Sequence, residues 1–118
     1  MRLSISTEPM SWRFSLEDTF QMIADAGFDA MDLGLFSKED LAWFSAPDYL
    51  KRASELRRAL RDTGLSAGQV HAPFPSYIAG DADKTRAARA LILRSIELTA
   101  ELECPWVIVH PAMVPFGD

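Results

Sequence analysis

Pro105-Trp106-Val107-Ile108-Val109-His110-Pro111 is the stretch that decides the fold. A continuous apolar run bounded by prolines matches a strand buried on both faces of a parallel sheet, where the alternation of a half-wet strand is absent. His110-Pro111 closes the run, so an imidazole is expected at the strand's carboxyl end. Upstream, about Lys84 to Glu103 reads as a helix, with Ala88, Leu91, Ile92, Ser95, Leu98, Thr99 and Leu102 on one stripe.

The same strand-and-helix unit recurs towards the N-terminus. Ser66 to His71 reads as a strand that Gly68 weakens, a glycine there signalling close backbone approach or a tight wall. The loop Ala72 to Asp83 follows, with Pro73, Pro75, Tyr77 and Gly80 as turn chemistry. Before the strand, about Asp48 to Thr63 forms a helix with Leu50, Ala53, Leu56 and Leu60 inward, Lys51, Arg52, Arg58 and Arg61 outward, and Gly64 as its stop. Leu35 to Pro47 is an elaborated loop, in which Ser37-Lys38-Glu39-Asp40 begins a short extra helix carrying Leu41, Trp43 and Phe44. Asp29 to Gly34 is a short strand. Ser15 caps the first helix, Glu17 and Asp18 sit in its first turn, and Leu16, Phe20, Ile23 and Ala24 make its stripe. Gly27 is its left-handed stop, with Phe28 as the hydrophobic contact. Arg2 to Thr7 is the first strand, in which Leu3 and Ile5 alternate with Ser4 and Ser6.

Strands that alternate with helices define an α/β chain feeding a parallel sheet. Thr7, Gly34, His71 and His110 mark successive strand ends, 27, 37 and 39 residues apart. Active sites of parallel α/β folds gather at the carboxyl ends of the strands, where loops converge. Both histidines of the chain stand there, and neutral imidazole is a common metal ligand and a hydrogen-bonding partner for hydroxyls and phosphates. His71 and His110 are therefore the candidate catalytic residues. Asp32 either orients a histidine, binds a substrate hydroxyl, or faces outward and is merely solvated. Glu8 follows the first strand and is either a substrate ligand or a solvated loop carboxylate. Trp12, Phe74 and Tyr77 lie in loops on the same face, where rings wall a substrate pocket or simply pack the loops.

Composition sets the outer limits. The 118 residues are 48% hydrophobic and 25% charged, the profile of one globular unit. No apolar run approaches the ~20 residues needed to span a bilayer, and no signal-peptide pattern opens the chain, so a cytoplasmic protein without a membrane partner is expected. A net charge of −5 disfavours nucleic acid. The single cysteine, Cys104, rules out an internal disulfide and reads as a small buried hydrophobe.

Val70-His71-Ala72-Pro73-Phe74 and Val109-His110-Pro111, preceded by Ser15-Leu16-Glu17-Asp18 and by Ala26-Gly27-Phe28-Asp29-Ala30-Met31-Asp32-Leu33, resemble the xylose isomerase-like TIM-barrel superfamily. That group includes sugar-phosphate isomerases and epimerases, inosose dehydratase-like proteins and the endonuclease IV family. The resemblance implies the N-terminal half of a (β/α)8 barrel, four βα units, with residues 1–118 as one partial barrel domain. It implies a sugar or sugar-phosphate isomerase or epimerase that in full-length form uses a divalent metal (Mn, Mg, Co or Zn). In the isomerase branch the metal ligands come mainly from later strands, so this chain itself is expected to hold none and to be inactive alone. In the endonuclease branch His71 and His110 would bind zinc in a phosphodiesterase acting on abasic DNA. Two positions depart from the family pattern: Asp32 stands where many members have Glu, and Glu103 stands where Gly often precedes the Cys104-Pro105 position. A non-glycine residue in a left-handed cap costs about 1 kcal/mol, so the preceding helix is expected to end differently.

A complete barrel needs about 250 residues. Four parallel strands cannot close, which leaves open edges on the first and fourth strands. The sequence thus reads as a truncated or partial gene product, as a non-catalytic half-barrel assembly module, or as half of a homodimer paired through those edges.

Overall fold

In the computed structural model, residues 1–111 are described. Four parallel strands, β1 (Ser4–Ser6), β2 (Ala30–Gly34), β3 (Ser66–His71) and β4 (Val107–Ile108), lie in the order β1-β2-β3-β4. Between them run α1 (Leu16–Asp25), α2 (Lys38–Ser45), α3 (Tyr49–Thr63) and α4 (Ala82–Glu101). Sequential parallel strands joined by helical crossovers are the layout of the N-terminal half of a TIM barrel. The loop expected beyond Pro111 lies outside the described residues.

Local chemistry sets the helix ends. Ser15 Oγ accepts from the backbone N–H of Asp18 at 3.1 Å and Ser37 Oγ from that of Asp40 at 2.9 Å, capping α1 and α2. Gly27 has φ 84°, with Phe28 N–H donating to Ile23 O and Gly27 N–H to Ala24 O, the paired bonds of a left-handed helix stop. The short helix expected inside the second loop is α2. It is tied down from a distance: Arg94 of α4 donates to the carbonyls of Phe44 and Ala46 at 2.9 and 2.8 Å, and its guanidinium lies 4.7 Å from the centre of the Tyr49 ring.

The core forms between the sheet and the helices. Leu16, Phe20 and Ile23 of α1, Ala53, Leu56 and Leu60 of α3, and Leu98 of α4 with Leu102 at its cap pack on Met31, Leu33, Ala67 and Val70. Glu17 of α1 accepts from Nη1 and Nη2 of Arg52, linking α1 to α3, and Ser54 donates to Glu101 at 2.7 Å, linking α3 to α4.

Four expectations need correction. Leu50 is exposed, and Tyr49 takes the inward place at the start of α3. The fourth helix begins at Ala82, not Lys84, because Asp81 Oδ1 accepts from the backbone N–H of Lys84 and caps it two residues earlier. The apolar run at the fourth strand is not buried on both faces: Trp106 and Val109 are exposed and only Val107–Ile108 ladders, because β4 is an edge of the described sheet. Finally, Glu103 does adopt the left-handed turn, at φ 55°, with Cys104 N–H donating to Thr99 O and Glu103 N–H to Ala100 O. The helix stops there as it would with glycine. The Glu103 side chain reaches Arg61 of α3 at 2.7 Å, which offsets part of the strain.

One irregularity in the sheet governs the site. Partner residues run Ala30 with Ser66 and Met31 with Ala67, then skip Gly68, so that Asp32 pairs with Gln69, Leu33 with Val70 and Gly34 with His71. The buried positions of β3 are accordingly Ala67 and Val70, three apart where alternation gives two. This bulge shifts the phase of the strand by one residue and turns Gln69 and His71 to the face opposite the helices. Gly68 permits it: a Cβ there would meet Ser4 Oγ at 3.3 Å and the Met31 carbonyl at 3.4 Å.

Candidate active site

Asp32 and His71 lie on neighbouring strands, on the sheet face away from the helices, at the carboxyl rim. His71 Nδ1 and Asp32 Oδ1 are 2.8 Å apart, and Asp32 Oδ2 accepts from Gln69 Nε2 at 2.9 Å. Both side chains are largely buried, His71 at 21% and Asp32 at 15% exposed, so the bond is sheltered from competing water. A carboxylate can only accept, so the neutral imidazole carries its proton on Nδ1 and leaves the Nε2 lone pair free.

His110 stacks on His71, ring centres 5.4 Å apart and planes within 21°. Phe74 lies 5.2 Å from His110, and Phe36 lies 5.2 Å from Phe74 and 6.5 Å from His71. Two imidazoles thus sit against an aromatic wall, with Asp32 and Gln69 behind one of them. Among the described residues, the hydrogen-bond and ring partners of the pair include no cation.

The structure therefore brings together His71, His110, Asp32 and Phe74. Glu8 lies nearby on the first rim loop, with its Cγ 3.4 Å from where a Cβ on Gly34 would stand, but it makes no hydrogen bond to Asp32 or His71. Trp12 lines a separate cavity with α1 and α2, and Tyr77 is exposed, with neither ring in contact with a histidine. Gln69 and Phe36 join the site without having been singled out in the sequence. Gln69 carried a usable signal, since residues two apart on a strand share a face and it stands two before His71. Phe36 carried none.

A metal can be weighed against these donors. An imidazole held through Nδ1 by a carboxylate, with Nε2 free, has the form of a metal-ligating histidine. Among the described residues, however, no group of three or more His, Cys, Asp or Glu side chains is placed to hold an ion, so the histidine pair would be at most part of a coordination set.

Residues 20–117 match the family model described as "Xylose isomerase-like TIM barrel". The chain belongs to that family. The chain is 26% identical over 103 residues to "Probable endonuclease 4" of Chloroflexus aurantiacus (strain ATCC 29366 / DSM 635 / J-10-fl), an alignment covering 86% of this chain and 35% of that protein. The xylose isomerase-like chain thus spans about a third of the length of this relative. Among solved structures, an AP endonuclease, family 2, from Brucella melitensis superposes with TM-score 0.65 at 16% identity, over 99% of this chain and 43% of that one. A D-psicose 3-epimerase in the presence of D-fructose superposes with TM-score 0.62 at 17% identity, over 91% and 36%. These likenesses establish the fold. No helix among the described residues is long and apolar enough to cross a membrane.

Proposed function

We propose that the intact protein is an isomerase or epimerase of a sugar or sugar phosphate, with this chain as the N-terminal half of its barrel. The observation that supports this reading is the Asp32–His71 bond beside an aromatic wall. An imidazole with a fixed tautomer and a free Nε2 can hydrogen-bond a substrate hydroxyl or hold a proton at a defined place, as acid–base chemistry on a hydroxy-carbonyl requires. His110, stacked alongside, supplies a second polar contact, and Phe74 and Phe36 exclude water from one side of the pair. The net charge of −5 favours a small substrate, with at most one phosphate, over the many phosphates of a nucleic-acid backbone.

A divalent metal, when bound, would polarise the carbonyl–hydroxyl pair of the substrate. His71 and His110 are the described residues that could join its ligands, or contact substrate directly if later strands hold the ion. Cytoplasmic location belongs to the same proposal, whereas a homodimer closed through the edges of β1 and β4 is the alternative for the 118-residue chain standing alone. This 118-residue chain alone is expected to be inactive.

The named likeness to an endonuclease 4 supports one alternative, a zinc phosphodiesterase on abasic DNA. A single pair of assays separates the two. Intact protein is incubated with Mn²⁺ or Mg²⁺ on a ketose and ketose-phosphate panel, and with Zn²⁺ on an abasic duplex. Epimerised product that falls with His71→Ala supports the proposal; strand nicking with no turnover on the panel replaces it.

A further inference from the structure

A cavity of about 440 Å3 opens beside the histidine site, lined by Leu41 of α2, by Pro73, Pro75 and Ile78 of the loop after β3, and by Ala88 and Leu91 of α4. Phe36 and Phe74 line it too, and the same two rings flank the histidines, centre to centre 6.5 Å for Phe36 and His71 and 5.2 Å for Phe74 and His110. The rings thus belong to both spaces. No lining side chain carries a hydrogen-bonding atom. All of these residues keep part of their surface open, with Phe74 46% exposed, so the apolar wall is within reach of a ligand.

The walls are held in place from outside the cavity. Thr85 Oγ1 donates to the Ile78 carbonyl at 3.1 Å and accepts from the Ile78 N–H at 3.0 Å, which fixes the loop against α4. Arg94 fixes the end of α2 through the carbonyls of Phe44 and Ala46. Phe36 lies over the Gly34 backbone, where a Cβ would stand 2.5 Å from its ring, so glycine gives the ring its place. A preformed apolar cavity of a few hundred Å3, joined to a small number of convergent polar groups, is how small-molecule sites are built. Here the polar groups are the imidazoles of His71 and His110. A phosphate or a polyol entering the cavity would give up water and find no side-chain donor or acceptor in return. A hydrocarbon group gains by leaving water.

We propose that the substrate of the histidine site carries a hydrocarbon group, a short alkyl chain or a ring, seated in this cavity while its hydroxy-carbonyl end meets the imidazoles. This rests on the isomerase or epimerase reading above and narrows its substrates to compounds with one apolar end. The test titrates the full chain, 13C-labelled at its methyl groups and at histidine, with benzyl hydroxymethyl ketone. Dihydroxyacetone and dihydroxyacetone phosphate, which keep the hydroxy-ketone and lack the phenyl ring, are titrated in parallel. Saturable shifts of the Ile78 and Leu91 methyl signals and of the His110 ring are expected with the benzyl compound, with Kd on the order of 1 mM. The other two should bind at least about tenfold more weakly, the loss of one buried ring. Ala88→Leu, which fills the cavity, should weaken the benzyl compound by about the same factor and leave dihydroxyacetone unchanged. Phe74→Ala, a change at an exposed ring, should weaken it too and serves if the Ala88 variant does not fold. Equal affinity for the three compounds would overturn the proposal, as would unchanged affinity in both variants. So would shifts at Ile78 and Leu91 without any at His110, or no saturable shift up to roughly 20 mM, twenty times that Kd. Binding by this chain that vanishes in the intact protein would mean that the rest of the barrel fills the cavity, and would overturn it as well. The titration needs no turnover: binding as expected from an intact protein that converts nothing on the ketose panel would sink the reaction and leave this subsite standing.

Discussion

Asp32 holds His71 by a single 2.8 Å bond between Oδ1 and Nδ1, and Gln69 holds the other oxygen of the same carboxylate. The chain thereby fixes which imidazole nitrogen faces the open rim. An amide donates as well as accepts, so Asp32→Asn should release the tautomer. Imidazole 15N shifts of His71 should then report mixed Nδ1–H and Nε2–H forms, where the native chain shows Nδ1–H. In the intact protein, turnover should fall about 10- to 100-fold, the usual cost of losing such a partner. Gln69→Leu should act in the same direction but less strongly. A native tautomer in Asp32→Asn would show that the bond does not set it.

The bulge at Gly68 delivers Gln69 and His71 to the face that carries Asp32. Gly68→Val places a branched side chain against Ser4 Oγ and the Met31 carbonyl. It should destabilise the fold by about 1–3 kcal/mol, the range for overpacking, as read by urea denaturation. Deleting Gly68 removes the skipped residue and leaves Gln69 opposite Asp32, so the Asp32–His71 bond should survive in molecules that fold; its loss there would show that the bulge does more than set the phase of the strand.

Glu103 occupies a left-handed turn at φ 55° that glycine adopts freely. Relief of that strain is worth about 1 kcal/mol, while its exposed ion pairs to Arg61 and Arg57 are worth roughly 0–1 kcal/mol. Glu103→Gly should therefore match or exceed the native stability, and Glu103→Ala, which keeps the strain and loses the pairs, should fall below it. Thermal melts that rank alanine above glycine would contradict this balance.

The Arg52 guanidinium beside Glu17 holds that carboxyl below the ordinary glutamate range. A depressed folded-state value contributes stability that is present above the unfolded value, about 4.3 for glutamate, and is lost as pH falls through the folded one. Urea denaturation of native and Glu17→Gln chains should differ at pH 7 and converge in acid below both values. Both partners are partly exposed, so the gap should be modest and should shrink in high salt.

Burial raises the thiol of Cys104 above its usual range. With less thiolate, it should react with iodoacetamide at neutral pH at least about tenfold more slowly in the folded chain than in urea. Equal rates would mean that the packing around it opens readily.

Much of this was legible from residue order. The helix stops at Gly27 and Gly64, the caps at Ser15 and Ser37, the extra helix of the second loop, and the placing of His71 at the end of β3 all follow from local chemistry, whereas His110, expected to close its strand, stands two residues beyond β4. What escaped was decided by tertiary contact. Alternation along β3 would put His71 on the same face as the buried Ala67; only the pairing with β2 shows that Gly68 is skipped. The apolar Trp106 to Val109 run gave the strand but not its place at an edge, because hydropathy reports what a residue tolerates and not which neighbour it has. Trp12 is a rim-loop ring like Phe74, yet the Met10–Trp12 turn carries it to another cavity.

Arg94 spans about fifty positions of sequence to hold the two carbonyls that end α2. The second loop is thus braced by the frame and is not a free appendage. Anyone grafting this loop onto another barrel of the family should transplant the arginine with it; otherwise the graft arrives without its anchor.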